Sequence, residues 1–299
     1  MARRKDSIGL GTVLPPVIGR LVDAAEQIQA GPPDDIDFLH AILAQVGLPR
    51  RRQEGDTFER TSGSASLQLR SGDLWDGKAW IRQPLPYGTR PRLALIHLGT
   101  EAVRTRSRAI DVGHSVREFL LRLGVMTDGR EYARFRTQMK ALAACEMRLG
   151  MGQSTTRFQP IETFEAWLHP TGQQTTLWPG TIELSERFYE TLIEHAVPLD
   201  HRALAALKHS ALALDVYAWL AHRLHRVKGD GARLSWSNLK DQFGQEYGEL
   251  RDFKREFRKA LRQALAVYPD ARIEDMVGGV KLLPSKAPVP RLRIGGRRS

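Results

Sequence analysis

Two stretches of the chain carry the same order of local signals, and this repetition constrains the fold more than any other feature. In the first, helical periods at 92–103, 115–124 and 131–145 surround a short strand at 108–112, and strand-like segments follow around 155–167 and 174–184. In the second, helices at 202–226, 237–243 and 249–266 surround a strand at 232–236, and a hairpin of 271–274 with 280–283 turns at Gly278-Gly279. Helix, strand, helix, turn, helix and hairpin is the layout of a winged helix, so the sequence predicts two in series.

The rest of the chain completes an α+β, mostly helical prediction. A helical N-terminal extension is expected over 1–56, with helices at 17–29 and 35–46 and a linker from Arg50 to Ser66. Short strands are predicted at 65–69 and 78–82, as a hairpin turning at Asp76-Gly77. The predicted domains are the first winged helix at 57–198, the second at 199–283, and a basic disordered tail at 284–299, which contains three prolines and a Gly pair.

Positive charge is concentrated in the last third of the chain. The formal net charge is +11, yet residues 1–200 hold 25 bases and 24 acids, whereas residues 201–299 hold 20 bases and 10 acids. Five of the bases lie in the tail, at Lys286, Arg291, Arg293, Arg297 and Arg298. Such asymmetry indicates a polyanionic partner, and nucleic acid is favoured because no basic amphipathic helix with exposed bulky apolar residues accompanies the charge.

The predicted helix at 249–266 sorts its residues by face. At about 100° per residue, its apolar side chains share one face and its acids lie on one flank. The other flank carries a basic row, namely Arg251, Arg255, Arg258 and Arg262 with Lys254 and Lys259 beside it. A solvated face held by salt bridges would interleave the two signs. The arginines are instead expected to be unneutralised, which favours a face that contacts DNA.

Further DNA contacts are predicted outside this helix. Arg272 and Lys281 of the hairpin are expected to touch the flanking DNA backbone, and the tail adds an electrostatic arm. In the first winged helix, the third helix offers Arg134, Arg136 and Lys140. Because these bases are less cleanly sorted, packing or dimerisation is the competing interpretation for this helix.

Signals for catalysis, metals and membranes are weak. The single cysteine, Cys145, excludes a disulfide framework and a zinc ribbon and is expected to be buried, like Trp167, Trp178, Trp219 and Trp236. The spacing from Gly72 to Lys78 matches a phosphate-binding loop, but Ala79 replaces the metal-binding Ser or Thr. Scattered histidines are more typical of surface positions than of ligands. We therefore expect no catalytic site, cofactor or metal, and a cytoplasmic protein without a membrane segment or signal peptide.

Several segments carry a family resemblance. They are LPYGTRPRL from Leu85, TEAV from Thr100, DVGHSVREFLLRLG from Asp111, LDVYAWL from Leu214, LSWSNL from Leu234, FKREF from Phe253 and VYPDA from Val267. Together, and in this order, they resemble the plasmid-encoded RepA-type replication initiators of Gram-negative bacteria, over roughly residues 57–291.

The resemblance implies a plasmid replication initiator built on winged-helix domains. Such a protein would bind direct repeats (iterons) in duplex DNA of the plasmid origin, promote opening of an adjacent AT-rich stretch, and help assemble the host initiator and replicative helicase. It also implies a possible homodimer in equilibrium with a monomer. The family offers no catalytic residues to carry over. A sequence-specific transcriptional repressor without a replication role is the alternative.

Overall fold

The computed structural model describes residues 15–163 and 180–290. Its helices are α1 (Pro16–Ala30), α2 (Ala41–Val46), α3 (Thr89–Thr105), α4 (Val116–Arg122), α5 (Gly129–Ala144), α6 (Glu186–Glu194), α7 (His201–Leu207), α8 (Ala211–Arg223), α9 (Trp236–Phe243) and α10 (Leu250–Ala266). Its strands are β1 (Ile36–His40), β2 (Thr57–Ser62), β3 (Ala65–Arg70), β4 (Asp73–Trp75), β5 (Trp80–Arg82), β6 (Ala109–Asp111), β7 (Glu146–Met151), β8 (Ser154–Phe158), β9 (Ile161–Thr163), β10 (Thr181–Leu184), β11 (Ala196–Asp200), β12 (Ala232–Ser235), β13 (Ile273–Met276) and β14 (Gly279–Leu282). The strand pairings are antiparallel. The predicted mixture of helices and strands is confirmed.

The N-terminal segment is part of the folded body. Helix α1 agrees with the prediction and begins with proline at its first position, where the missing N–H has no helical partner to lose. The predicted helix over 35–46 is wrong in its first half, which forms β1 and pairs with β11 from Ile36 opposite Asp200 to His40 opposite Ala196. Only α2 keeps the helical conformation. A pairing with residues far along the chain overrides the local helical period here.

The predicted linker from Arg50 to Ser66 is also wrong, because it contains β2. This strand lies at one edge of a four-stranded sheet in the order β2-β3-β7-β8. Phe58 and Arg60 both point inward from β2, and Arg60 is buried. The predicted turn at Asp76-Gly77 exists, but it joins β4 to β5 instead of joining the strand that begins at Ala65.

The first repeated stretch follows the predicted order of α3, β6, α4 and α5. Helix α4 begins after Ser115, whose hydroxyl accepts a hydrogen bond from the Glu118 N–H (3.1 Å), and the Glu118 carboxylate accepts one from the His114 N–H (2.8 Å). Strands β6, β10 and β9 form one sheet in that order. The β7–β8 hairpin lies between α5 and β9. Residues 164–179, including Trp167, Trp178 and parts of two predicted strand segments, lie outside the described residues.

The second repeated stretch differs from the prediction mainly at its start. The single helix expected over 202–226 is divided into α7 and α8, because the Ser210 hydroxyl accepts a hydrogen bond from the Ala213 N–H (3.2 Å) and starts a new helix. Strands β12, β14 and β13 form a sheet in that order, which repeats the first-third-second order of β6, β10 and β9. The hairpin turns at Val277-Gly278, one residue before the predicted Gly278-Gly279, because Gly279 pairs with Met276. A Cβ at Gly279 would lie 1.8 Å from the Leu234 carbonyl oxygen.

Two buried ionic groups, together called the ionic seam, join the second stretch to the first stretch and to the segment that precedes it. In one, Arg92 of α3 binds Asp215 of α8 through two bonds of 2.7 Å, from Nε to Oδ1 and from Nη2 to Oδ2. The guanidinium also donates to the carbonyls of Leu48, Pro49 and Gly88, so all five of its N–H groups are used. In the other group, Arg50 and Arg60 bind Glu246.

The start of the C-terminal tail is packed against the body. The Tyr268 hydroxyl donates to the Lys286 carbonyl (2.7 Å), the Arg272 N–H donates to the Ser285 hydroxyl (3.0 Å), and Val289 is buried. The prediction of a disordered tail therefore needs correction for residues 284–290, which form neither helix nor strand but are anchored to the body. Residues 291–299, with four of the five tail bases, lie outside the described residues.

Candidate nucleic-acid interface

Helix α10 is held by an apolar face that the sequence defines. Its buried side chains are Phe253, Phe257, Ala260, Leu261 and Ala264, spaced three and four residues apart. They pack against α8 and α9. This fixed seat determines which residues of α10 point outward.

The basic row of α10 lies largely on the side away from the core. Arg251, Arg255, Arg258, Lys259 and Arg262 are all exposed. At about 100° per residue, Arg255 and Arg262 lie nearly opposite the centre of the buried face. The structure therefore places five of the six predicted cations of this helix on a surface that a ligand can reach.

The expectation that these arginines are unneutralised is wrong for two of them. Arg255 binds Asp252 (2.9 Å) and Glu256 (3.2 Å), and Arg258 binds Asp275 of β13 (3.4 Å). The acidic flank is within reach of the basic row because side chains three residues apart are neighbours on a helix. Such exposed pairs contribute about 0–1 kcal/mol each, so a phosphate or a base edge can displace the carboxylates at little cost.

The remaining exposed cations of α10 are available to a ligand. Arg251, Lys259 and Arg262 form no ion pair with any residue of 15–163 or 180–290. They extend along the helix on both sides of the Arg255 pair. The row therefore combines three free cations with two weakly engaged ones.

Trp236 of α9 orients the flank of the row that faces the hairpin. The Arg258 guanidinium lies 4.8 Å from the centroid of the Trp236 ring, and the Lys254 ammonium lies 5.7 Å from it. Trp236 itself is buried, as predicted, and so is Trp219. Cation–π contacts of this kind hold the two cations in place. Lys254 is half-buried and is thus a less accessible member of the predicted set.

The hairpin of β13 and β14 lies beside this flank. Arg272 is exposed, as a phosphate contact requires. Lys281 is half-buried and binds Asp230 (3.0 Å), and this contact lowers the pKa of the Asp230 carboxyl. Val277 at the turn is fully exposed. Of the two predicted hairpin cations, Lys281 is paired, whereas Arg272 forms no ion pair with any residue of the described ranges.

The cations predicted on α5 are more engaged with the protein. Arg134 binds Glu131 (3.0 Å), which also binds Arg90 of α3. Lys140 is half-buried, and burial together with the nearby Arg136 lowers the pKa of its ammonium group. Arg136 is exposed. These three cations lie on α5 and are therefore separate from the basic row of α10.

Glu246 anchors the loop that leads into α10, and sequence reasoning missed it. Its carboxylate accepts from Arg50 Nη2 (2.8 Å), the Arg50 N–H (3.0 Å) and Arg60 Nη2 (3.1 Å). Burial alone would raise the pKa of Glu246, but the two arginines outweigh it and lower the pKa to about 2. The Arg50 guanidinium lies 4.8 Å from the Tyr247 ring centroid. The start of α10 is thereby fixed to the segment between α2 and β2.

The segment with phosphate-loop spacing and the single cysteine lie outside the basic surface of α10. The segment with phosphate-loop spacing, Gly72–Lys78, forms β4 and the turn into β5 instead of a loop before a helix. Cys145 is buried, as predicted. Within the described ranges, no cluster of His, Cys, Asp and Glu has the arrangement of a metal site, and no helix is long and apolar enough to cross a bilayer.

Comparison with known proteins decides the family. The sequence pattern of plasmid-encoded RepA proteins matches residues 85–238, which is 154 of 299 residues. The chain belongs to this family. The predicted resemblance to RepA-type proteins is thus confirmed, and the match spans α3 to the start of α9. Helix α10 lies beyond the matched part of the RepA pattern. A comparison with curated protein sequences finds no significant match.

Two solved structures resemble this RepA-family chain. The selenomethionine structure of domains 2 and 3 of RctB has a TM-score of 0.51 and 14% identity, covering 84% of this chain and 99% of that one. A second structure of RctB domains 2–3 has a TM-score of 0.48 and 13% identity, with coverages of 81% and 94%. The structure with the TM-score of 0.51 shares the fold of this chain, and at 14% identity the similarity extends to the fold alone.

Proposed function

We propose that this RepA-family protein initiates plasmid replication by sequence-specific binding to duplex DNA, with α10 as the helix that enters the major groove. The observation that carries the proposal is the exposed row of Arg251, Arg255, Arg258 and Arg262 opposite the buried face of α10. An α-helix fits the major groove, where arginine forks bind O6 and N7 of guanine. Cations that do not reach a base would bind phosphates and fix the register.

We also propose that each repeated stretch is a winged helix. The support is the order of elements, the shared first-third-second strand order, and the position of the β13–β14 hairpin beside α10. In this arrangement Arg272 would contact the backbone next to the groove. Lys281 would join it only after leaving Asp230.

The first stretch takes an auxiliary role in the proposal. Arg134, Arg136 and Lys140 would contact flanking phosphates, or the stretch would mediate dimerisation. The bound sites would be direct repeats of the plasmid origin, and binding would lead to origin opening and recruitment of the host initiator and replicative helicase. We propose that the protein acts in the cytoplasm without catalysing a reaction and without a cofactor.

The test is binding of the purified full chain to labelled origin duplexes and to shuffled duplexes across a salt series. The wild type should prefer a direct repeat by roughly 10³-fold, with affinity falling as salt rises because bound phosphates release counterions. The double variant Arg255→Ala with Arg262→Ala should bind the repeat at least about tenfold more weakly, since each base contact contributes about 1–3 kcal/mol.

The matched control is Arg187→Ala. Arg187 of α6 is 65% exposed and binds Glu190 three residues away, much as Arg255, at 66%, binds Asp252. The control should bind both duplexes like the wild type. Unchanged repeat binding by the α10 double variant would remove α10 as the recognition helix. Equal binding of origin and shuffled duplexes by the wild type would leave only general polyanion binding.

A repressor without a replication role would use the same α10 surface. A mini-replicon from which the gene is deleted separates the two functions. The replicon should fail to replicate unless the protein is supplied in trans. Replication without the protein would favour the repressor.

A further inference from the structure

The β4–β5 hairpin exposes a pair of tryptophans. Trp75 and Trp80 are directly opposite each other, and their ring centroids are 5.7 Å apart. Trp75 is 46% exposed and Trp80 is 69% exposed, whereas Trp219 and Trp236 are buried. A cross-strand aromatic pair contributes to the stability of a hairpin, and at this exposure both rings still offer apolar surface to a ligand.

The hairpin is held rigidly. The Asp76 carboxylate accepts hydrogen bonds from the N–H groups of Lys78 and Ala79, both at 2.8 Å, and closes the turn. At the base, Arg82 binds Asp56 and Asp73, both at 3.3 Å. A Cβ at Gly72 would lie 2.1 Å from the Ala144 carbonyl oxygen, so the base of the hairpin is pressed against the end of α5. The two rings are therefore presented on a fixed support.

Three cations lie in the turn or on the adjoining helix. Lys78 lies in the turn, and Arg136 and Lys140 project from the adjoining α5. Helix α5 contacts β4, and Gly72 lies against the Ala144 carbonyl oxygen, so the C-terminal part of α5 adjoins the hairpin. The acids here have partners within the protein, since Asp56 and Asp73 share Arg82 and the Asp76 carboxylate accepts hydrogen bonds from two backbone N–H groups.

We propose that this hairpin binds single-stranded nucleic acid by stacking unpaired bases on Trp80 and Trp75, with the phosphates near Lys78, Arg136 and Lys140. Aromatic platforms flanked by cations bind single strands with little sequence preference, because every base has a π-face. A stable protein interface buries about 800 Å² per partner, which exceeds what two tryptophans and Ile81 offer. The inference adds an activity to the proposed duplex recognition and does not depend on it.

The experiment uses the full chain and two labelled probes, an oligothymidylate of about 20 nucleotides and an abasic strand of the same length, which keeps the phosphates and lacks the bases. The wild type should bind the oligothymidylate more tightly than the abasic strand. Trp80→Ala should weaken oligothymidylate binding at least about fivefold and bring it near the abasic level. Trp75→Ala should act in the same direction, and Trp80→Phe should retain most of the affinity.

Met126→Ala is the matched control, because Met126 is also 69% exposed and lies away from the hairpin. It should bind both strands like the wild type. Binding of the origin duplex is measured for every variant, so a failure of duplex recognition is seen separately from a failure of stacking. Oligothymidylate binding that is absent in the wild type, equal to abasic binding, or unchanged in both alanine variants would overturn the proposal. A change in sedimentation mass of the alanine variants without a change in strand binding would overturn it too, in favour of self-association.

Discussion

The two repeated stretches share an order of elements and a strand order, yet their third helices expose different surfaces. Helix α10 presents five accessible cations, of which Arg255 and Arg258 pair with carboxylates and Arg258 also lies over the Trp236 ring. In α5, Arg134 shares Glu131 with Arg90, and the buried Gln138 accepts a hydrogen bond from the Tyr87 N–H (2.7 Å). The polar side chains of α5 are thus tied to residues of α3 and the segment before it, whereas Arg251, Lys259 and Arg262 of α10 form no ion pair with any described residue. A repeated architecture does not imply a repeated binding surface.

The ionic seam shows how the two stretches depend on each other. Arg92 of the first stretch is paired with Asp215 of the second, and Glu246 at the entry to α10 is held by Arg50 and Arg60. The direction in which α10 projects is therefore set by residues outside its own stretch. We therefore expect substitutions in the seam to lower the stability of both stretches. Substitutions of exposed side chains on α5 and α10 should change only the affinity for DNA.

The largest expected effect is on stability, from Asp215→Ala. Removing this carboxylate leaves the buried Arg92 guanidinium without its counter-charge, which costs about 3–5 kcal/mol. We expect one cooperative unfolding transition at lower denaturant concentration, since the seam joins both stretches. Asp230→Ala, which removes an exposed partner of Lys281, is the control and should change the free energy of unfolding by less than about 0.5 kcal/mol. A loss for Asp215→Ala as small as that of the control would contradict a structural role for the seam.

The second prediction concerns the pH dependence of stability through Glu246. Its pKa is lowered from 4.5 to about 2 in the folded protein. A lowered carboxyl pKa contributes stability that is fully present above pH 4.5 and is lost as the pH falls towards 2, about 3 kcal/mol in all. Denaturant unfolding of the wild type across this window should show the loss. Glu246→Gln should be destabilised at neutral pH and show a weaker pH dependence.

The control for this prediction is Glu194→Gln, because Glu194 is exposed at the end of α6. It should follow the wild-type pH profile. An identical profile for Glu246→Gln and the wild type would mean that Glu246 does not carry the acid sensitivity.

Local signals predicted much of the fold and most of the α10 surface. Helix α10 was predicted within one residue at its start, because the apolar residues at Phe253, Phe257 and Ala264 recur at the helical period. The Ser115 cap and the Asp76-Gly77 turn were also found, since each depends on neighbours within a few residues. These features need no knowledge of the rest of the chain.

Two misses are local, namely the Ser210 cap that divides the predicted helix over 202–226 and the pairing of Arg255 with Asp252. The larger misses depend on contacts between distant residues. Strand β1 pairs with β11, some 160 positions away, and the hydrophobic pattern around residues 36–40 gives no indication of that pairing. Arg60 is charged in sequence but buried in structure, because Glu246 and the carbonyls of Val46 and Leu48 satisfy it. The exposure of Trp75 and Trp80 is not predicted either, because the Asp76-Gly77 turn indicates a hairpin and does not indicate which of its side chains face water.

The smallest effects are expected from single substitutions in DNA binding, with one cation taken from α5 and one from α10. Arg136→Ala on α5 should weaken binding to the origin duplex and to the shuffled duplex alike, by a few-fold, because a phosphate contact carries no sequence information. It should also reduce the slope of log affinity against log salt concentration by about 0.9. Arg255→Ala on α10 should weaken binding to the origin duplex more than binding to the shuffled duplex, because a base contact discriminates between sequences. Arg187→Ala is again the control and should change neither affinity nor slope. Selective loss of origin binding by Arg136→Ala would show that α5 also reads bases, and the two third helices would then be functionally equivalent despite their different ion pairs.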